Sequence, residues 1–332
     1  MSEVLPAGPL QRFEIERRAR LSADEFYREY LSGAGRPVIV TDATDRWTAR
    51  SKWTFELFKS RYGSDIVTPT TELSSTSIKV MRLADYIDYL DSPLKEPAGF
   101  WIDKAEGIAR RAPAGPSSAP LGLFAWNFFF KHPELLEDIE PSPYFGDDWV
   151  PLLPEAMRRV LEGTRYRPSW LLIGPAGSLA KLHHDFLYTH AYLAQICGRK
   201  KCILFSPEDS EFIYHGAVDP ERPDFERFPL FKKARAFACV LEPGEMLLIP
   251  SRWWHQVTGL EKWITVSYNF FNRANFGNYF ADFIRQLPDI LERFEKVAGW
   301  RAALGVEWAC RGFTKAGGEA AGNRRGSPGG AR

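Results

Sequence analysis

The chain has 332 residues, of which 45% are hydrophobic and 14% aromatic, a composition typical of a globular protein with a large buried core. Its formal net charge of +1 provides no field that would favour nucleic acid or an anionic membrane. No apolar run approaches the roughly 18 residues of a membrane span, and the first residues lack a secretory pattern. The four cysteines form no C-x-x-C pair. We therefore expect a cytoplasmic protein with reduced thiols.

Helices and strands are both predicted in the first third of the chain. Ser22 and Glu25 have the spacing of a capping box at the start of a helix. Thr54 is the predicted N-cap of a further helix, which Gly63 ends. In chain order the predicted elements are a helix with Phe26, Tyr30 and Leu31 on its apolar face, a strand at Val38–Val40, a helix at Phe55–Tyr62, a strand at Ile78–Met81 and a helix at Leu83–Leu90.

The central part of the chain has the pattern of a β-sandwich or barrel. A loop rich in Pro, Ser and Gly at Ala112–Ala119 precedes an aromatic run, Phe124–Phe130, which we interpret as a strand. From Trp170 to Asn272, short apolar runs are broken by Gly, Pro and Asp. The polar interval Glu208–Arg235 is predicted to be a long excursion between strands, and such excursions are commonly functional.

An amphipathic helix is predicted after Arg273, with a second one behind it. Two interpretations of these helices stay open, namely packing against the barrel and dimerisation. Ala316–Arg332 is rich in Gly and is predicted to be a disordered tail. The apolar positions of the first helix are Phe280, Phe283, Ile284, Leu287, Leu291 and Phe294, with an interruption near Pro288, and those of the second are Trp300, Leu304 and Trp308.

Two short motifs carry the candidate metal ligands. Leu182–Asp185 is predicted to be a buried strand, so that alternation places His183 and Asp185 on one face and His184 on the other. The predicted strand Met246–Ile249 is followed by His255. Two imidazoles and one carboxylate suit non-heme Fe(II), although the same three ligands also suit zinc or manganese.

These motifs resemble the JmjC family of cupin-like oxygenases that depend on Fe(II) and 2-oxoglutarate. The resemblance implies a double-stranded β-helix with flanking helices. It divides the chain into an N-terminal α/β layer over 1–115 that extends the jelly-roll sheet and a catalytic core over 116–273. C-terminal helices over 274–314, which pair in relatives, and a tail over 315–332 follow. It rests on Gly174–Gly177, Leu182–Asp185, Ala194–Lys201, Phe205–Glu208, Asp224–Pro229, Pro243–His255 and Ser267–Phe270, with weaker likeness at Arg36–Gly63 and Pro141–Trp149.

By this resemblance His183, Asp185 and His255 bind Fe(II), and the remaining positions on the metal take 2-oxoglutarate and O2. Lys200 occupies the position of the family's cosubstrate lysine, and a cation is needed because an unpaired carboxylate in a dry barrel is costly. Lys201 alternates to the outer face.

Asn269 occupies the position where relatives often have a polar residue that contacts the cosubstrate, but it also suits a sheet edge. Two positions depart from the family pattern, since Ala180 stands where relatives commonly have Thr or Ser and Leu193 where many have Asn. Candidates for a replacement hydroxyl are Ser178, Tyr188, Thr189 and Tyr192.

The resemblance predicts a dioxygenase that hydroxylates a side chain of a protein or peptide, with lysine as the first candidate, and releases succinate and CO2. A JmjC-type N-methyl demethylase and a small-molecule biosynthetic hydroxylase stay open as alternatives. A metal-binding cupin module without catalytic activity is an alternative of another class, which the departures at Ala180 and Leu193 favour. The expected partners are the substrate and, through the C-terminal helices, a second copy of the chain.

Overall fold

A computed structural model describes residues 10–71, 77–95, 99–103, 109–110, 119–126, 128–140, 142–154 and 169–288. The first compact unit comprises Met1–Leu153 with Arg167–Asp282 and contains every strand named below. Of the second unit, Pro154–Tyr166 with Phe283–Arg332, the structure describes Pro154 and the helical residues 283–288. In the described part of the chain, no helix has the length and apolar character needed to cross a membrane.

Three sheets make up the first unit. The first has the strand order β1-β13-β12-β15-β10, the second β2-β3-β14-β11-β16-β9-β8, and the third β4-β5-β6-β7. The strands are β1 (Gln11–Glu14), β2 (Arg17–Arg18), β3 (Val38–Val40), β4 (Ile66–Val67), β5 (Ser77–Arg82), β6 (Phe100–Asp103), β7 (Ala109–Arg110), β8 (Leu123–Trp126), β9 (Ser169–Gly174), β10 (Leu179–His183), β11 (His190–Cys197), β12 (Lys200–Phe205), β13 (Arg235–Leu241), β14 (Met246–Ile249), β15 (Trp254–Gly259) and β16 (Trp263–Phe270).

The helices are short and lie mainly in the N-terminal part. Ser22 Oγ accepts a hydrogen bond from the Glu25 amide, which confirms the predicted cap, and Thr54 Oγ1 caps the next predicted helix through the Leu57 amide. The helices are α1 (Ala23–Phe26), continued by a wider turn at Tyr27–Leu31, α2 (Ala49–Lys52), α3 (Phe55–Tyr62), α4 (Leu83–Tyr89) and α5 (Phe128–Lys131), followed by a C-terminal helix over 276–288.

The first two sheets face each other across an apolar interior. Inward side chains of β12, β13 and β15 pack there against those of β3, β11 and β14, as alternation along each strand requires. The second sheet buries its other face under the N-terminal helices, and the first is covered on its outside by residues between β12 and β13, including Ile213 and Phe231. This mainly β architecture is the predicted jelly-roll core. In its second sheet, β3 from the N-terminal part of the chain pairs with β14.

The aromatic run after residue 123 differs from its prediction as a single strand. The strand β8 ends at Trp126, and Phe128 begins the helix α5. In this helix Phe128 and Phe129 are buried, whereas Phe130 is exposed. A short apolar run has no period that separates a buried strand from a buried helix, so sequence could not decide between them. The predicted C-terminal positions Leu291, Phe294, Trp300, Leu304 and Trp308, and the loop 112–118, lie outside the described residues.

Candidate metal centre

Three side chains meet at one end of the interior. Ligand atoms of His183, Asp185 and His255 all lie within 4.8 Å of one another. The two imidazole rings have centroids 4.2 Å apart, because His183 on β10 and His255 on β15 are direct cross-strand partners. Among the described residues this is the one group of three such side chains whose geometry could hold a metal ion.

A β-bulge sets the position of His183. In the pairing of β10 with β15, Ala180 lies opposite Val257 and His183 opposite His255, so β10 carries one extra residue between the two pairs. That residue allows both Ala180 and His183 to face inwards. The strand ends at His183, so Asp185 comes from the segment that follows and not from the strand predicted by alternation.

Backbone carbonyls orient both histidines. His183 Nδ1 donates to the Lys181 carbonyl at 2.7 Å, and His255 Nδ1 lies 3.3 Å from the Trp253 carbonyl. These contacts leave the Nε2 atom of each ring as the unprotonated nitrogen that a metal needs. Burial of His255, aided by the nearby His183, lowers its pKa to about 4 and keeps the ring neutral near pH 7.

The carboxylate of Asp185 shows that a cation fits here. Its Oδ2 atom is buried and has no hydrogen-bond partner among the described residues. A buried carboxylate oxygen without a partner is costly, and a metal ion held with His183 and His255 would remove that cost. Two neutral imidazoles and one carboxylate are the ligand set of non-heme iron sites that keep coordination positions open.

Lys200 faces the same interior, at a distance from the three candidate ligands. Its side chain is 2% exposed, and it has no ion-pair partner among the residues that the structure describes. On β15, Gly259 is the partner of Lys200 and His255 the partner of Leu204, so Lys200 and His255 face the same way and are about four residues, or roughly 13 Å, apart along the sheet. Burial lowers the pKa of Lys200 to about 7. The neighbouring Lys201 faces outwards, as predicted, and pairs there with Glu221.

The two polar candidates on the second sheet lie on opposite faces. Asn269 is the partner of Ala191, whose side chain faces the interior, and its Nδ2 donates to Thr189 Oγ1 at 3.0 Å. Tyr192 is one residue further along β11 and therefore faces outwards, where its ring stacks on Tyr268. The structure brings Asn269 to the metal side of the sheet and leaves Tyr192 on the other side.

Two interior side chains, Ser267 and Trp263, were not among the site residues predicted from the sequence. Ser267 lies directly opposite Leu193 and offers a hydroxyl at that point of the interior. Leu193 itself faces inwards, as does Ala180, which is what the family pattern predicts. Trp263 lies on the same face of β16, and its indole covers the amine of Lys200. The alternation of side chains along β16 could have identified both residues, because every second residue from 263 to 269 lies on one face of the strand.

Two strained loops flank the ligands. Leu187 and Tyr188 follow Asp185 with φ of 52° and 49°, and Arg252 precedes His255 with φ of 66°. Left-handed backbone at residues other than Gly persists where surrounding contacts enforce it. Here Ser251 provides two of them, because its amide donates to His190 Nδ1 at 3.0 Å and its hydroxyl donates to the Tyr188 carbonyl at 2.6 Å.

Comparison with known proteins supports the same interpretation. The family model described as a cupin-like domain matches residues 129–278. Lysine-specific demethylase JMJ21 of Arabidopsis thaliana is 30% identical over 79% of this chain and 26% of its own length. The 2-oxoglutarate and iron-dependent oxygenase JMJD4 of Homo sapiens is 28% identical over 81% of this chain and 63% of its own length. Lysine-specific demethylase 8 of Xenopus tropicalis is 29% identical, with 74% and 50% covered. The chain thus spans less than two thirds of the length of these relatives.

Proposed function

We propose that this chain, which belongs to the cupin-like JmjC family, is an Fe(II)- and 2-oxoglutarate-dependent dioxygenase that hydroxylates a side chain of a protein or peptide. The observation that carries the proposal is the convergence of His183, Asp185 and His255, whose ligand atoms lie within 4.8 Å of one another. Relatives named as oxygenases of this type support the identity of the metal and the cosubstrate.

The side chains divide the work of binding. His183, Asp185 and His255 would hold Fe(II), while Lys200 would pair with the distal carboxylate of 2-oxoglutarate and Asn269 would contact the cosubstrate from the second sheet. When bound together, Fe(II), 2-oxoglutarate and O2 supply the oxidant that inserts one oxygen atom into a C–H bond, while the second enters succinate as CO2 leaves. Lys200 is buried beside the apolar interior, and an ammonium pairs more strongly with a carboxylate in such surroundings than in water.

Succinate production tests this proposal. Purified protein with Fe(II), ascorbate and 2-oxoglutarate under air is expected to form succinate, since many such enzymes turn over the cosubstrate slowly without substrate. His255→Ala should abolish it, and His215→Ala is the matched control, because His215 is an exposed imidazole beside Glu211 and is not one of the three candidate ligands. Failure of the wild-type protein to bind 2-oxoglutarate at millimolar concentration would favour a binding module instead.

Lysine is the first substrate residue that we propose, and N-methyl demethylation is the second candidate reaction. The names of two relatives include lysine-specific demethylase, and another is named an arginine-specific demethylase. The same site oxidises a methyl group on nitrogen to a hydroxymethyl group, which breaks down to formaldehyde and the free amine. Mass spectrometry of peptides separates the reactions, because hydroxylation adds one oxygen atom and demethylation removes one CH2.

We also propose that the chain forms a homodimer through its C-terminal helices and acts in the cytoplasm. The exposed rings of Phe276 and Phe280, which stack with centroids 5.9 Å apart, support the dimer. Three cysteines, Cys197, Cys202 and Cys239, are free thiols, which suits a reducing compartment. Light scattering of the wild type and of Phe280→Glu tests the dimer, because the introduced carboxylate should dissociate it. Cell fractionation tests the location.

A further inference from the structure

The amine of Lys200 lies on an aromatic face inside the barrel. Its Nζ atom is 3.3 Å from the centroid of the Trp263 ring, and the two side chains are 2% and 1% exposed. A cation over an indole face is attracted by the negative potential of the ring, and this attraction is strongest where water is excluded. The indole thus gives the buried amine a favourable neighbour at a place where the described residues offer it no carboxylate.

Two glycines make room for the indole. Trp263 is the cross-strand partner of Gly174 on β9, and a Cβ atom at Gly174 would lie 2.5 Å from its Cζ2 atom. A Cβ atom at Gly259 would come even closer to Nε1. Because Gly259 is also the partner of Lys200 on β15, its missing side chain is what lets a ring from the second sheet reach a lysine on the first.

A hydrogen-bond chain fixes the ring in that gap. Trp263 Nε1 donates to Ser178 Oγ at 3.0 Å, and Ser178 Oγ donates to the Pro175 carbonyl at 2.7 Å. The turn that holds Ser178 is itself tied to β15, since the Gly177 amide donates to the Gly259 carbonyl at 2.8 Å. The indole is therefore held in one orientation before any ligand arrives.

We propose that Trp263 is a positioning residue that holds the Lys200 ammonium ready for the distal carboxylate of a dicarboxylate cosubstrate. This inference rests on the proposed function of the site. The ring touches Lys200 and not the reacting atoms, so it acts on cosubstrate affinity and not on the chemical step.

The protonation state of Lys200 links this arrangement to pH. Burial lowers the pKa of Lys200 to about 7, whereas an aromatic face favours the charged form. Its cross-strand partners Leu241 and Gly259 do not titrate, and neither does Trp263 on the facing sheet. Cys202 on its own strand is the titratable group that acts on it. Removing the indole should therefore lower the ammonium fraction at neutral pH.

Binding of 2-oxoglutarate to the protein loaded with Mn(II) in place of Fe(II), measured by anaerobic calorimetry, tests the proposal. We expect Trp263→Leu to raise the Kd by about tenfold at neutral pH, with a larger effect at higher pH, and Trp263→Phe, which keeps an aromatic face, to raise it by no more than about threefold. Equal affinities of Trp263→Leu and wild type across the pH range would overturn it, as would equal losses in the Leu and Phe variants.

A second measurement, the NMR signal of Lys200, does not require that a Trp263 variant folds. In a protein with 13C-labelled lysines, the indole ring current should shift the signal of the Lys200 side chain upfield. The signal is assigned by its absence in Lys200→Met, and addition of 2-oxoglutarate should move it. A Lys200 signal at the ordinary position would overturn the proposal. If wild type does not bind 2-oxoglutarate, the proposed function fails, whereas binding that needs Lys200 but not Trp263 refutes this inference alone.

Discussion

At the scale of single residues, the site is defined by charges and polar atoms that the described fold leaves without partners. Among the described residues, Asp185 Oδ2 is buried without a hydrogen-bond partner, and Lys200 is buried without an ion-pair partner at a separate point of the same interior. Each buried group is costly without a partner. A cation at the first and an anion at the second would remove both costs, which is what a metal and a dicarboxylate provide.

We predict that Asp185→Ala loses metal binding while the fold persists. The expected loss exceeds the roughly 10–100-fold that removal of a residue supporting a metal ligand costs, because a ligand itself is removed. The melting temperature of the metal-free protein should stay equal or rise, since a buried carboxylate without a partner disappears. Metal analysis after dialysis and thermal denaturation measure the two effects, and a variant that retains stoichiometric metal would contradict the assignment.

We also predict that affinity for 2-oxoglutarate falls as pH rises above about 7. Burial lowers the pKa of Lys200 to about 7, so the free protein loses this proton above that pH, whereas a bound carboxylate raises the pKa and requires the proton back. The Kd should therefore increase by up to about tenfold per pH unit. Calorimetry in buffers of different ionisation enthalpy measures the proton uptake. Lys200→Met should bind more than about tenfold more weakly at neutral pH and show no uptake.

At the scale of elements, strand pairing and close packing position the site. The extra residue in β10 between Ala180 and His183 turns both towards the interior. The strand β15 then supplies His255 at one end and Gly259 at the other, so one strand aligns a metal ligand with the gap that the Trp263 indole fills. A change in the packing of this strand should consequently affect stability as well as binding.

We predict that Gly259→Ala destabilises the protein by about 1–3 kcal/mol, because its methyl group would overlap the Trp263 indole and approach the Pro175 carbonyl at 2.9 Å. The matched control is Gly277→Ala. A Cβ atom there meets nothing within 4 Å, and the residue lies in the C-terminal helix, so alanine should stabilise by about 0.5–1 kcal/mol. Chemical denaturation measures both. Equal effects of the two substitutions would show that the gap at Gly259 is not tightly filled.

Across the folded chain, the candidate metal site joins residues far apart in sequence. His183 ends β10 and Asp185 follows it, while His255 lies on β15. These two strands pair within one sheet, and the second sheet closes the interior. Ligands that bind across such a site act on the folded state alone, so occupancy and global stability are coupled.

We therefore predict that Mn(II) with 2-oxoglutarate raises the melting temperature of the wild-type protein. Saturation at one hundred times Kd adds about 2.7 kcal/mol to the free energy of unfolding, which corresponds to a shift of a few degrees in a domain of this size. Chelation with EDTA should reverse the shift, and His255→Ala should show none. A shift of equal size in His255→Ala would place the metal elsewhere on the protein.

Several elements could be predicted from the sequence because their residue patterns are local. Residue chemistry and period predict the caps at Ser22 and Thr54, the strand Val38–Val40 and the alternating apolar residues of the central strands. The two ligand motifs could be recognised because their residues are few and specific. Features that depend on residues far apart in the chain became visible only in the folded structure. Which face of a strand looks inwards depends on register, so a bulge in β10, the outward turn of Tyr192 and the end of the strand before Asp185 could not be inferred from alternation alone. The contact of Trp263 with Lys200 joins two sheets through the gap at Gly259, and no local pattern encodes a contact that exists only once both sheets have packed.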